Sequence, residues 1–263
     1  MEAMAQYRQA EQLAPDSYIA HADVGSLLGY TGDTNGALNE FRQAAQLAPN
    51  RPALHSRLGN LLSSMGQFSE ATNELNQAIS LAPADASSHL DLGIAMAAHD
   101  DIAGATNEFS EALRLEPTDP APLVEWSKAL LQQGRDAEAV DKLHEALQVD
   151  PDDFQTLTFT ARVLAADEDA KIRDGQTALT DAQAADGLTD GTQPLVLDVL
   201  GMAYAEVGQF DAAQKAVTSA ISLATGAGMK NETIKAMQGR LELYEKHEPW
   251  RETFQAEGRS KLQ

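Results

Sequence analysis

Prolines 15, 49, 83, 117 and 151 stand 34 residues apart, four intervals in succession. A proline cannot continue a hydrogen-bonded helical ladder, so each interval must both start and stop its own secondary structure. Four further series share the period: Gly25, Gly59 and Gly93 with Ser127 next in line; Ala37, Ala71, Ala105 and Ala139; Ala44, Ala78, Ala112 and Ala146; and the larger Phe41, Leu75, Phe109 and Leu143. A unit this short cannot bury its own apolar face. It must stack on its neighbours, which makes the chain a repeat array rather than a globule with one centre. Composition agrees: hydrophobic residues make up 43% and aromatic ones only 5%, as expected of helices that meet through Ala and Leu.

The positions within one period have separate physical roles. The small residue at 25, 59, 93 and 127 and the two alanine series lie where helices cross and side chains must be small. Gly32, Gly66 and Gly134 sit where a first helix closes into a turn with positive φ, and Asp100 fills that place less well in another unit. Asp16, Asp85, Asp119 and Asp153 fall where the next helix wants an N-cap.

With Val24-Gly25, Leu58-Gly59 and Leu92-Gly93 at positions seven and eight, and Pro closing each unit, the pattern resembles the tetratricopeptide repeat. The resemblance implies an all-α fold: a right-handed superhelical solenoid of antiparallel helix pairs. Residues 1–15, "EAMAQYRQAEQLAP" with Ala3, Tyr7, Ala10 and Pro15 in register, are expected to form a half repeat with a second helix only. Four regular repeats follow over residues 16–151, then an irregular one over 152–192. Six extra residues in "LAADEDAKIRDGQTAL" lengthen the connection between its helices, expected near 154–166 and 174–186. Residues 193–226 form the next repeat. Residues 229–253 read as a capping helix and tail, with Ile234, Met237, Leu241 and Tyr244 facing the array. From about residue 254 the apolar content is low, which reads as a frayed end.

The C-terminal half, with Lys171-Ile172-Arg173-Asp174-Gly175, Leu197-Asp198-Val199-Leu200 and Pro249-Trp250-Arg251-Glu252, resembles an arrangement that recurs in bacterial tetratricopeptide proteins. There the array often ends a longer polypeptide, sometimes behind a membrane-embedded sugar-transferase-like domain. The expectation is therefore that this chain is cut from a longer protein, with its compartment, cytoplasmic or periplasmic, left open.

The formal net charge is −21. Residues 1–227 hold 12 basic and 34 acidic side chains, whereas residues 228–263 are nearly balanced, with 7 and 6. Such a surface repels phosphate backbones and anionic lipid, which argues against nucleic-acid and membrane-surface partners and leaves a basic protein partner open. No segment approaches the length of an apolar membrane span. The absence of cysteine excludes disulfides and thiolate chemistry.

His21, His55 and His89 also recur at 34 residues, with Asp23 and Asp91 two residues after the first and third. Three imidazoles on successive helices, about 10 Å apart, cannot share one metal ion. Two residues along a helix turn by about 200°, so each Asp points away from its His. These histidines read as structural. Asp167, Glu168, Asp169 and Asp174 lack the spacing of a calcium loop. No phosphate-binding loop or nucleophile motif is present, so the chain is read as non-enzymatic, with no cofactor.

The resemblance places ligand contacts on the concave faces of the first helices. Here those positions include Ala22, Ser26, Ser56, Asn60, Leu90, Ile94, Val124, Lys128, Thr158, Arg162, Asp198 and Met202. Asn60 stands where relatives hold a peptide backbone, and Lys128 and Arg162 form a cationic file. Ala22, Ser56 and Leu90 replace the lysine of relatives that clamp a C-terminal carboxylate. The expected function is a scaffold that binds a protein or peptide segment in this groove. The alternatives are a C-terminal assembly or substrate-presenting arm of a larger bacterial enzyme, such as a membrane sugar transferase, and self-association through the N-terminal half repeat.

Overall fold

The computed structural model of the chain describes residues 15–255, and the expected N-terminal half repeat lies, but for Pro15, outside them. Every named element among the described residues is an α-helix, and none is long and apolar enough to cross a membrane. The fold is an all-α solenoid of antiparallel helix pairs. It divides into two compact units, residues 1–122 and 123–263.

The first unit holds three pairs: α1 (Tyr18–Tyr30) with α2 (Thr34–Leu47), α3 (Pro52–Ser64) with α4 (Phe68–Leu81), and α5 (Ala86–Ala98) with α6 (Ile102–Leu115). The second contains α7 (Ala121–Gln132, all but its first two residues), α8 (Asp136–Val149), α9 (Phe154–Ala166), α10 (Gly175–Leu188), α11 (Pro194–Glu206), α12 (Phe210–Gly226) and α13 (Asn231–Glu245).

Local chemistry sets the ends of these helices. Gly32, Gly66 and Gly134 adopt φ of 88°, 74° and 70°, and Asp100 is driven to 73° in the same turn. Asp85 caps α5 by accepting from the Ser88 amide, and Asp153 caps α9 through the amides of Gln155 and Thr156. Asp119 accepts from the Ala121 amide at the start of α7. At α1 the cap is Ser17 and not Asp16: the Ser17 hydroxyl accepts from the Ala20 amide at 3.4 Å. A serine one residue further on reaches the first helical turn, so the aspartate is displaced from that role.

Packing follows the small-residue series. A Cβ placed on Gly59 would lie 2.6 Å from Leu75 Cγ, so α3 and α4 approach this closely only because position 59 has no side chain. Leu75 is fully buried there, with Leu58, Leu62 and Ala71 in the same core. In the second unit the core runs through Ala165, Leu179, Leu200, Ala203, Val217 and Met237 to Tyr244. The capping helix α13 thus buries Met237 and Tyr244 completely, with Ile234 and Leu241 half-buried beside them.

The irregular connection between α9 and α10 uses its acids as loop caps. Asp167 accepts from the Asp169 amide, Asp169 from the Lys171 amide, and Asp174 caps α10. Among the described residues no group of three or more His, Asp or Glu is arranged to hold a metal ion. The chain then returns to this connection at its far end. The Glu252 amide donates to the Ala166 carbonyl (2.8 Å), and the Glu168 amide donates to the Glu252 carbonyl (3.0 Å), a single parallel bridge. Phe254, expected to fray, instead packs half-buried against the cluster of Leu130, Leu131, Leu143 and Val163. An aromatic side chain at that point finds an apolar recess between α7, α8 and α9.

Burial raises two carboxyls in the second unit strongly. Burial pushes Asp181 up to about 6, against the pull of His144 and with a further push from Asp174, and its Oδ2 is buried with no hydrogen-bond partner. Burial, followed by Asp167, Asp169 and Glu168, also pushes Asp136 up to about 6. A carboxyl raised by folding ionises at a loss to the native state. The penalty is absent below the unfolded pKa near 4, grows between pH 4 and 6, and is complete above pH 6. Asp181→Asn is therefore expected to raise the melting temperature at pH 7.5 by roughly 2–4 °C, or about 1 kcal/mol after allowing for solvent screening. The gain should shrink at pH 4, as differential scanning calorimetry at the two pH values would show.

Candidate functional site

The histidine ladder forms repeated three-part contacts within the first unit. The Nδ1 atoms of His21, His55 and His89 lie 2.7 Å from Oε2 of Glu40, Glu74 and Glu108. Their Nε2 atoms face the carbonyl oxygens of Pro15, Pro49 and Pro83 at 3.0, 2.8 and 3.2 Å. A carbonyl only accepts, so each Nε2 carries its hydrogen, and each Nδ1 shares a proton with a carboxylate. Neither ring nitrogen offers a free lone pair to a metal or a substrate. The histidines tie the start of each first helix to the second helix of the same repeat. The glutamates had a signal in the sequence that pointed to no partner by itself: 40, 74 and 108 repeat at 34 residues, and the series ends at Lys142 just as the histidines end at Leu123.

In the first unit three of the expected groove residues, Ser26, Ser56 and Asn60, join neighbouring first helices. Arg57 donates to the Ser26 hydroxyl (3.1 Å), Ser56 and Ser88 share a hydrogen bond (3.0 Å), and Asn60 donates to Asp91 (2.8 Å). Burial raises the pKa of Asp91, which the Asn60 amide offsets in part. Ala22 is buried, Leu90 is half-buried, and Ile94 is exposed.

The second unit differs. Thr158 and Arg162 of α9 and Asp198 and Met202 of α11 meet α13 around a cavity of about 740 Å³. Phe154, Phe159, Val196 and Val199 provide apolar wall, and Leu195, 54% exposed, stands at its edge. Val124 and Lys128 are not part of it: Val124 is half-buried on α7, and the Lys128 ammonium is paired with Glu125 on its own helix at 2.6 Å. The cationic file expected of Lys128 and Arg162 is thus two separate ion pairs.

Every charge in the cavity wall except Glu232 has a partner of opposite sign. Arg240 of α13 grips Asp198 through Nε (2.8 Å) and Nη2 (2.5 Å), and both side chains are buried. The guanidinium also lies 5.7 Å from the Trp250 ring. Arg162 forms a two-pronged pair with Glu252 from the returning C-terminal segment, and its guanidinium lies 5.5 Å from the Phe254 ring. Next to these, Glu206 of α11 receives Arg173 at 3.0 Å and Arg251 at 2.6 Å. Neither Arg240 nor Glu252 is among the groove residues expected from the sequence. Arg240 had a signal: it lies three residues after Met237 and four before Tyr244, on the stripe that faces the array. Asp198, the one charge in "PLVLDVLGMAYA", signalled its need for a buried cation.

A family model for the tetratricopeptide repeat matches residues 31–92. That span covers the α1–α2 turn through α5, where the glycine, alanine and histidine series are most regular. Over that span the chain is built of tetratricopeptide repeats. A crystal structure of MamA superposes with a TM-score of 0.51 at 18% identity, over 56% of this chain and 86% of that one. The MamA RS-1 ArsTM double mutant gives 0.52 at 19% identity, over 57% and 84%. These likenesses, each over little more than half of this chain, show the fold alone. No curated protein sequence matches the chain.

Proposed function

We propose that this tetratricopeptide array is a protein-interaction scaffold that holds an extended partner segment in the groove of its second unit, over Thr158, Arg162, Asp198 and Met202. The supporting observation is the cavity between α9, α11 and α13, about 740 Å³ with a mainly apolar wall and an exposed leucine at its edge. Recognition sites share this character: an apolar recess large enough for side chains, with few and fixed polar groups. In the first unit Ser26, Ser56 and Asn60 are each engaged by a neighbouring first helix. The strongly acidic surface favours basic residues flanking the bound segment.

Peptides selected by display against the intact chain provide the test. Ala236 is exposed and lines the cavity, so Ala236→Trp fills the groove without disturbing the core. Groove-binding peptides should lose at least about tenfold in affinity for this variant. Peptides that bind it as well as they bind the unaltered chain would show that the groove is not the interaction surface.

A further inference from the structure

Residues 249–254 behave as a ligand of the array to which they belong. Beyond α13, Pro249, Trp250, Arg251 and Glu252 extend back toward α9 and α11, and three of these side chains meet charged groups of the array. Trp250 meets Arg240, Arg251 meets Glu206, and Glu252 meets Arg162. The backbone of Glu252 joins Ala166 and Glu168 in the manner of an added strand. Arg162 and Arg240 both line the cavity, so this strap engages two cations that an incoming segment would meet.

Its fit is incomplete. Trp250 Nε1 is buried with no hydrogen-bond partner, and Glu206 Oε2, although 2.6 Å from an Arg251 nitrogen, makes no well-aligned hydrogen bond. A desolvated donor without an acceptor is a standing penalty. Only Lys246, His247 and Glu248 separate the strap from the end of α13 at Glu245. A tether this short holds a segment at an effective concentration of about 1 mM, so even an intrinsically weak fit keeps the strap closed.

Building on the groove reading, we propose that residues 249–254 are a displaceable strap. The partner that displaces it is an extended protein segment presenting an aromatic, a cationic and a carboxylate side chain in succession. The aromatic takes the place of Trp250 on Arg240, the cation that of Arg251 on Glu206, and the carboxylate that of Glu252 on Arg162. A partner able to satisfy an indole or phenol donor improves on the strap at the point where the strap is deficient.

The probe is a capped peptide with the strap's own sequence, EPWRETFQ, titrated by fluorescence anisotropy into three full-length chains. In the Trp250→Ala/Glu252→Gln variant the strap is weakened, and the peptide should bind at least about tenfold tighter than to the unaltered chain. Adding Arg162→Ala to that variant should remove most of the gain, because the carboxylate loses its two-pronged partner. Circular dichroism checks that helicity is retained. If the double variant loses helicity, Glu252→Gln alone is read in the same way. Equal affinity for weakened and unaltered chains, or no binding to a folded strap variant, would overturn the proposal. If displayed peptides still lose affinity for Ala236→Trp in that event, the groove reading stands and only the strap is excluded.

Discussion

Asp198→Ala should destabilise the second unit by about 3–5 kcal/mol, measured as the shift of its guanidinium unfolding midpoint multiplied by the m-value. The substitution strands the Arg240 guanidinium, which is buried to 9% exposure between α11 and α13 with its paired carboxylate gone. Most of the loss comes from that uncompensated charge and not from any large intrinsic benefit of the pair. It follows that Asp198→Leu combined with Arg240→Met should recover most of the stability, because apolar side chains of similar size remove both desolvation penalties together. A double variant as unstable as Asp198→Ala would mean that the pair itself holds α13 on the array. Because Arg240 also carries the Trp250 ring, the same double variant should loosen the strap.

Leu75→Ala should be comparably damaging in the first unit, at about 2–5 kcal/mol by thermal or chemical unfolding. Leu75 is completely buried and fills the space that Gly59 leaves by having no side chain. Removing it leaves a void between α3 and α4 that closely packed helices cannot collapse. The reciprocal change, Gly59→Ala, drives a Cβ to within 2.6 Å of Leu75 Cγ and 3.2 Å of the Ala71 carbonyl oxygen. Overpacking of this kind outweighs the helix propensity gained from alanine, giving a smaller net loss of about 1–2 kcal/mol. Combining the two substitutions should destabilise by less than the separate effects added together, since each makes room for the other.

What the sequence revealed depended on how far each interaction reaches. The turn glycines and Asp100 were legible because positive φ is a local demand, met within one connection. The close approach of Gly59 to Leu75 was legible because both belong to series with one period. The His–Glu contacts obey that period too, but their partners are 19 residues apart, a spacing that means nothing until two antiparallel helices bring the positions together. The groove was harder to read. Repeat position alone gave equal weight to Asn60, Lys128 and Arg162, yet Asn60 and Lys128 are taken up by Asp91 and Glu125 close by. Arg162 meets Glu252 across 90 residues of sequence, through a segment with no repeat character. Such a contact is set by how the end of the chain returns, which no periodicity encodes.

The central claim, that the second unit's groove is the surface that takes a partner segment, is tested most directly by amide NMR on the intact chain. A peptide selected by display would be titrated into it. The resonances that move should be those of Thr158, Val199, Met202 and Ala236, together with Glu252 and Phe254 as the strap gives way. Shifts confined to α1–α6, with the cavity and strap resonances unmoved, would contradict it.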